Sequence, residues 1–167
     1  MHPDLTNYLT NRFPDIFATI KCFPCGDGWF YIIHDLCDCI ESHERALKLT
    51  YDRRKKSLEG SDARPDPLPC PVEASDVKEK WGSLCFYTSG GTNYIDGAID
   101  LAERLSERIC ERCGSAAKTR PDRSWVATLC DQCNESEEEG ERRNELLIAN
   151  IKSEYLENSN ETATNKE

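Results

Sequence analysis

Cys110-Glu111-Arg112-Cys113-Gly114 is answered by Cys130-Asp131-Gln132-Cys133, with sixteen residues between Cys113 and Cys130, reached through Trp125-Val126-Ala127-Thr128-Leu129. Two CxxC pairs at this separation match a zinc-site pattern. The chemistry demands the repetition. Zinc takes four soft ligands in a tetrahedron, and each CxxC turn supplies two thiolates from one tight loop. Gly114 follows the first pair, where a knuckle needs a permissive backbone. Trp125–Leu129 reads as the return strand of a hairpin, and the second pair as the start of a helix, whose N-terminal amides favour thiolates. Knuckle, hairpin and helix is the treble-clef order. Four cysteines fill the tetrahedron and leave no open position for water, so the expected cofactor is one structural Zn2+ on Cys110, Cys113, Cys130 and Cys133.

The remaining cysteines are Cys22, Cys25, Cys37, Cys39, Cys70 and Cys85. Cys22, Cys25, His34, Cys37, Cys39 and His43 hint at a second metal site. Helical geometry opposes it, because Cys37 and Cys39 point about 200° apart at 3.6 residues per turn. Buried thiols are the expectation.

Outward from the cysteines, Asp96–Cys110 reads as a helix with Ile95, Ile99, Ala102, Leu105 and Ile109 inward. Before it, Val77–Tyr87 reads as one strand leading to a Ser89-Gly90-Gly91 turn. Residues 53–71 read as a proline-rich loop. A helix from about Trp29 into the low fifties turns Trp29, Ile33, Leu36, Cys37, Ile40, Leu47 and Tyr51 to one side, entered through Cys25-Gly26-Asp27-Gly28. A first helix runs from an Asp4 cap to about Ile20, broken or kinked at Pro14. A last helix starts near Asp131 and extends to about Leu156. The fold class expected is α+β: helices packed on a small antiparallel sheet, a C-terminal treble-clef or zinc-ribbon module, and a terminal helix. The division expected is a body over 1–109 with its loop at 53–76, a zinc module and helix over 110–157, and a disordered tail over 158–167.

Charge narrows the function. The net charge is −10, which disfavours a nucleic-acid binder. Residues 134–167 carry ten acids against four bases, net −6, leaving only −4 for the rest. Lys118, Arg120 and Arg123 on the zinc hairpin are the best candidates for phosphate contact. No apolar run approaches the ~20 residues that cross a bilayer, and no signal-like start is seen, so the expected location is the cytoplasm.

Lys78-Glu79-Lys80 is unusual in a strand. Such residues either protect an edge or line a polar site. With the glycine turn they suggest a pocket of Asp27, Trp29, Lys78, Glu79, Lys80 and Tyr87, next to the Asp96–Cys110 helix. Lysines and aromatic faces suit a phosphorylated base.

Several segments together resemble a family of small, mostly uncharacterised proteins of tailed bacteriophages and prophages. They are Arg12-Phe13-Pro14-Asp15-Ile16-Phe17, Cys25-Gly26-Asp27-Gly28-Trp29-Phe30, Val77–Tyr87, Ile95-Asp96-Gly97, Ala102-Glu103, Ser106, Cys110–Gly114 and Trp125–Cys133. The chain departs from the pattern at Cys85, where the family carries arginine. If that arginine binds an anion, this chain lacks the contact. The resemblance implies phage origin, action in the bacterial host cytoplasm and a zinc-bearing fold, but no reaction. The expected function is a non-enzymatic protein that binds a host component, such as a nucleotide immune signal it sequesters or a host defence protein. The alternatives are a nucleic-acid-associated or transcription-related zinc protein, and a small hydrolase or nuclease. No catalytic motif organises Asp27, His34, Glu79, Glu103 or Ser106.

Overall fold

The computed structural model describes residues 1–60 and 63–157. The expected tail over 158–167 therefore lies outside the described residues. Helices and two small antiparallel sheets make up the molecule.

Helix α1 spans Pro3–Arg12, with proline at its start, where the missing N–H costs nothing. Its cap is His2, whose Nδ1 accepts from the Asp4 N–H at 3.2 Å, rather than Asp4 as expected. Asp4 instead pairs with Lys152. The helix stops at Arg12 rather than near Ile20, because Pro14 pushes Phe13 out of helical geometry (φ −125°, ψ 58°). A short 3₁₀ turn, Asp27–Trp29, feeds helix α2, Phe30–Ser57. Phe30, Ile33, Leu36, Cys37 and Ile40 are buried, while Leu47 and Tyr51 are only half-buried, so the second half of α2 extends past the core. Ser57 also lies beyond the expected helix end, so the loop that follows is shorter than the one expected from residue 53.

Val77–Tyr87 is two strands, not one. β1, Glu73–Lys80, pairs antiparallel with β2, Ser83–Ser89, with a bulge at Ser75. The turn is Trp81-Gly82, both at positive φ (57° and 79°). That is the two-residue geometry whose twist suits a hairpin. Tryptophan rarely adopts it, which hides the turn from a reading by composition. Val77 and Leu84 are fully buried and Phe86 nearly so. Both sheet edges are covered. On one side Ala74 N–H donates to Ile16 carbonyl and Glu79 N–H to Pro24 carbonyl. On the other, Leu84 N–H donates to Ser106 Oγ at 2.8 Å and Phe86 N–H to Glu103 Oε1 at 2.9 Å.

Those acceptors sit on helix α3, Asn93–Ser106. It ends four residues earlier than expected. Ile95, Ile99, Ala102 and Ser106 face inward at i, i+4, i+7 and i+11, whereas Leu105, expected inside, is 44% exposed. The buried position goes to serine because its hydroxyl satisfies the sheet edge. Strands β3, Lys118–Arg120, and β4, Ala127–Leu129, form the second hairpin. The last helix is interrupted: α4, Asp131–Glu135, ends at Ser136, which caps α5, Glu137–Ile151, through an Oγ contact from the Glu139 N–H at 3.2 Å. Lys152–Glu157 continues as a wider π-helical turn. Ile151 is fully buried in the body's apolar cluster, and Leu147, Ile148 and Tyr155 pack against it. The C-terminal helix thus closes over the body as well as following the cysteines.

Candidate metal centre

Cys110 and Cys113 lie on a tight knuckle. Gly114 N–H donates to Cys110 carbonyl at 2.9 Å, Cys110 N–H donates to Ser115 carbonyl at 2.7 Å, and Gly114 has φ +74°. Cys130 caps α4, its sulfur accepting from Cys133 N–H at 3.4 Å. The order is knuckle, hairpin, helix. All four cysteines are buried, and their sulfurs all lie within 4.8 Å of one another. Cys113 Sγ and Cys130 Sγ stand 3.7 Å apart. A tetrahedral ion with metal–sulfur bonds of about 2.3 Å places its sulfurs about 3.8 Å apart. The cluster fits a metal ion.

The surroundings supply positive charge and donors. Burial opposes ionisation of Cys113, but bonds from the Ser115 side chain and backbone, Arg143 and Cys133 outweigh it and bring the thiol down to about 6. Burial raises Cys110 and Cys133. Arg143 also donates to Ser115 Oγ at 2.7 Å, which fixes its guanidinium over the knuckle. Such outer contacts orient ligands and tune the metal.

The other cysteines are dispersed. Cys22 and Cys70 are exposed. Burial pushes Cys25 up to about 12 and raises Cys37 well above the ordinary thiol value. Cys39 meets the Tyr94 hydroxyl, and His34 is packed among Tyr8, Phe13, Phe30 and Tyr155. Among the described residues, Cys110, Cys113, Cys130 and Cys133 are the group that converges closely enough to hold a metal ion.

Two turns of the body fasten the centre. Gly28 N–H donates to Glu111 carbonyl at 2.8 Å, and Gly26 N–H to Glu111 Oε1 at 3.0 Å. A Cβ at Gly26 would strike Glu111 carbonyl, and one at Gly28 would strike Cys110 carbonyl and approach Gly114 N within 2.6 Å. The glycines are there for close backbone approach to the knuckle. From the other side, Thr128 Oγ1 donates to Gly82 carbonyl at 2.6 Å, and Glu111 N–H to Thr128 carbonyl at 2.9 Å.

The expected six-residue pocket does not assemble. Trp29 is fully buried and donates from Nε1 to Ile109 carbonyl at 2.9 Å. Lys78 pairs with Asp76 and lies over the Tyr87 ring on the outer face of the hairpin, opposite Cys85. Lys80 is exposed. The register explains the failure: the Trp81-Gly82 turn reverses the chain, so Lys78 and Lys80 share a face with Tyr87 and point away from the glycine turn. Asp27 does line a cavity, of about 340 Å³, but with other partners: Gly26, Glu111, Arg112, Arg123, Trp125, Ala127, Leu129 and Asn144. Asp27 is buried, accepting from His2 N–H at 2.5 Å and Asn144 Nδ2 at 3.0 Å. Glu79 reaches the rim, where Oε2 accepts from Trp125 Nε1 at 3.0 Å and Oε1 accepts from Gly82 N–H. Burial first, then the Glu79 charge, raises the Glu111 pKa. Sequence reasoning missed Glu111, Trp125 and Asn144 as cavity residues. Only the position of Glu111 inside a CxxC pair marked it, and nothing local marked Asn144.

Fold and cluster together define a small mixed α and β protein with four buried cysteines placed so that they could hold a metal ion. No family model, no curated protein and no solved structure matches the chain. Among the described residues, no helix is long and apolar enough to cross a membrane.

Proposed function

We propose that the chain is a non-enzymatic zinc protein of treble-clef type, made by a phage, that binds a component of its bacterial host in the cytoplasm. The observation that carries this reading is the convergence of four buried cysteine sulfurs within 4.8 Å. Four thiolates complete a tetrahedron, so the ion organises structure and has no position for substrate. A tetrahedral all-thiolate set of two CxxC pairs suits a structural zinc ion. The zinc then fixes Glu111, Arg123 and Trp125 around the cavity facing the glycine turn, and that cavity is the binding surface. Its volume falls within the range of small-molecule sites, which supports a small host signal over a large protein surface as the ligand.

The nucleic-acid reading draws less support. Arg120 bonds Asp131 at 2.5 Å, Lys118 lies 3.8 Å from the same carboxylate, and Arg123 Nη1 bonds Asn134 at 2.9 Å. Two of the three hairpin cations, Lys118 and Arg120, are thus held by one carboxylate, which leaves too few for a phosphate backbone.

Cobalt substitution tests the structural role. The account expects a tetrahedral four-thiolate spectrum that added cyanide leaves unchanged. A spectrum that shifts on adding cyanide reveals an open position and overturns it. Native mass spectrometry of protein purified from bacterial cytosol tests binding, with a retained small molecule as the expected result.

A further inference from the structure

We propose that the cavity between the glycine turn and the zinc hairpin takes a guanine nucleotide, with Glu111 holding the base edge, Trp125 the base face and Arg123 the phosphate. This rests on the reading of the chain as a binding protein and names its ligand class.

Glu111 is the carboxylate at this cavity with the most capacity to spare, having one oxygen with no hydrogen bond among the described residues. Both oxygens of Asp27 are engaged, by His2 N–H and Asn144 Nδ2, and both of Glu79, by Gly82 N–H and Trp125 Nε1. Among the described residues Glu111 accepts only from Gly26 N–H, on Oε1, and that bond pins the carboxylate in place. Each carboxylate oxygen accepts two hydrogen bonds, so Glu111 offers Oε2 entirely and Oε1 in part. A pinned carboxylate selects a ligand with two adjacent donors. Guanine presents N1–H and N2–H side by side on its Watson–Crick edge. Adenine and cytosine place one donor beside an acceptor, and uracil sets its N–H between two carbonyls. Each of those turns at least one lone pair toward the carboxylate.

Trp125 supplies the stacking surface. It is 69% exposed, yet its Nε1 bond to Glu79 fixes the indole plane. A held, uncovered aromatic ring at a cavity mouth is a platform for a base. Arg123 and Arg112 provide the cationic side. Arg112 is committed to Glu137 at 2.6 Å and, through its guanidinium, fills the space left by Gly140. Among the described residues Arg123 bonds Asn134 through Nη1 alone, so its other N–H groups remain for a phosphate. The carboxylates at the glycine-turn end repel phosphate, which sets the ligand's direction: base toward Glu111, phosphate toward Arg123.

Calorimetric titration of the zinc-loaded full chain with GMP, AMP, CMP, UMP and guanosine tests the assignment. GMP is expected to bind about tenfold or more tightly than the other three nucleotides. Glu111→Gln should remove that preference. Trp125→Ala, at an exposed position that leaves the fold intact, should weaken GMP by about tenfold. Arg123→Ala should weaken GMP and leave guanosine unchanged. Equal affinity for the four nucleotides, no heat with GMP at about 1 mM, or full GMP binding by Trp125→Ala overturns the proposal. A different small molecule retained in the native mass spectrum would reject guanine while upholding the binding reading. No retained molecule together with no GMP binding would reject both.

Discussion

At the scale of single residues, the glycine turn is the clearest case of a side chain required to be absent. Gly28 has an ordinary negative φ, so its requirement is steric: Cys110 carbonyl and Gly114 N occupy the space of a Cβ. Both obstacles are backbone, in the knuckle that carries Cys110 and Cys113, and neither can give way. Gly28→Ala is expected to cost about 3 kcal/mol or more, at the overpacking extreme, and to speed zinc loss to a chelator. Thermal melting and chelator kinetics check both. Lys80 is the opposite case. It is exposed on the outer face of the β1–β2 hairpin, and Lys80→Ala should leave stability within about 0.5 kcal/mol and zinc content unchanged.

At the scale of elements, two breaks in regular structure follow from single residues. Trp81 holds a left-handed conformation at the first position of a two-residue turn, a site suited to asparagine or glycine. It is 73% exposed, so little packing offsets the backbone cost. Trp81→Asn should therefore stabilise the protein by roughly 0.5–1 kcal/mol, read as a higher denaturant midpoint with unchanged slope. Ser136 ends α4 and caps α5, and Ser136→Ala should cost about 1 kcal/mol. These elements also show how far a sequence can be read. The CxxC spacing announced the knuckle, hairpin and helix order because each step is local. The apolar periodicity of Ile95, Ile99 and Ala102 announced α3. The β1–β2 hairpin was hidden because Trp-Gly lacks the usual turn signature, and with it the direction in which Lys78 and Lys80 point. The glycine turn's partner was hidden for another reason: Gly26 and Glu111 are 85 residues apart, and no local pattern encodes a contact of that range.

At the scale of the whole molecule, the four-cysteine cluster and the body are parts of one structure. Gly26 and Gly28 meet the first knuckle, Gly82 meets β4, and α5 brings Ile151 into the body's core. Removing the metal should then unfold more than the cysteine loops. A strong chelator is expected to abolish the cooperative melt of the entire chain, because closed thiolate sites contribute folding energy directly. A body that kept its own melting transition after chelation would mean that the two parts are only loosely joined. Acid should act in the same direction, since protons compete with the metal for thiolate sulfur.

The central claim is a single zinc ion held by Cys110, Cys113, Cys130 and Cys133, and native mass spectrometry with thiol alkylation tests it most directly. The account predicts one zinc per chain, with those four cysteines protected from alkylation until a chelator is added, while Cys22 and Cys70, both exposed, react at once. A metal-free chain whose four cysteines alkylate without chelator, or a chain carrying two zinc ions, would contradict it.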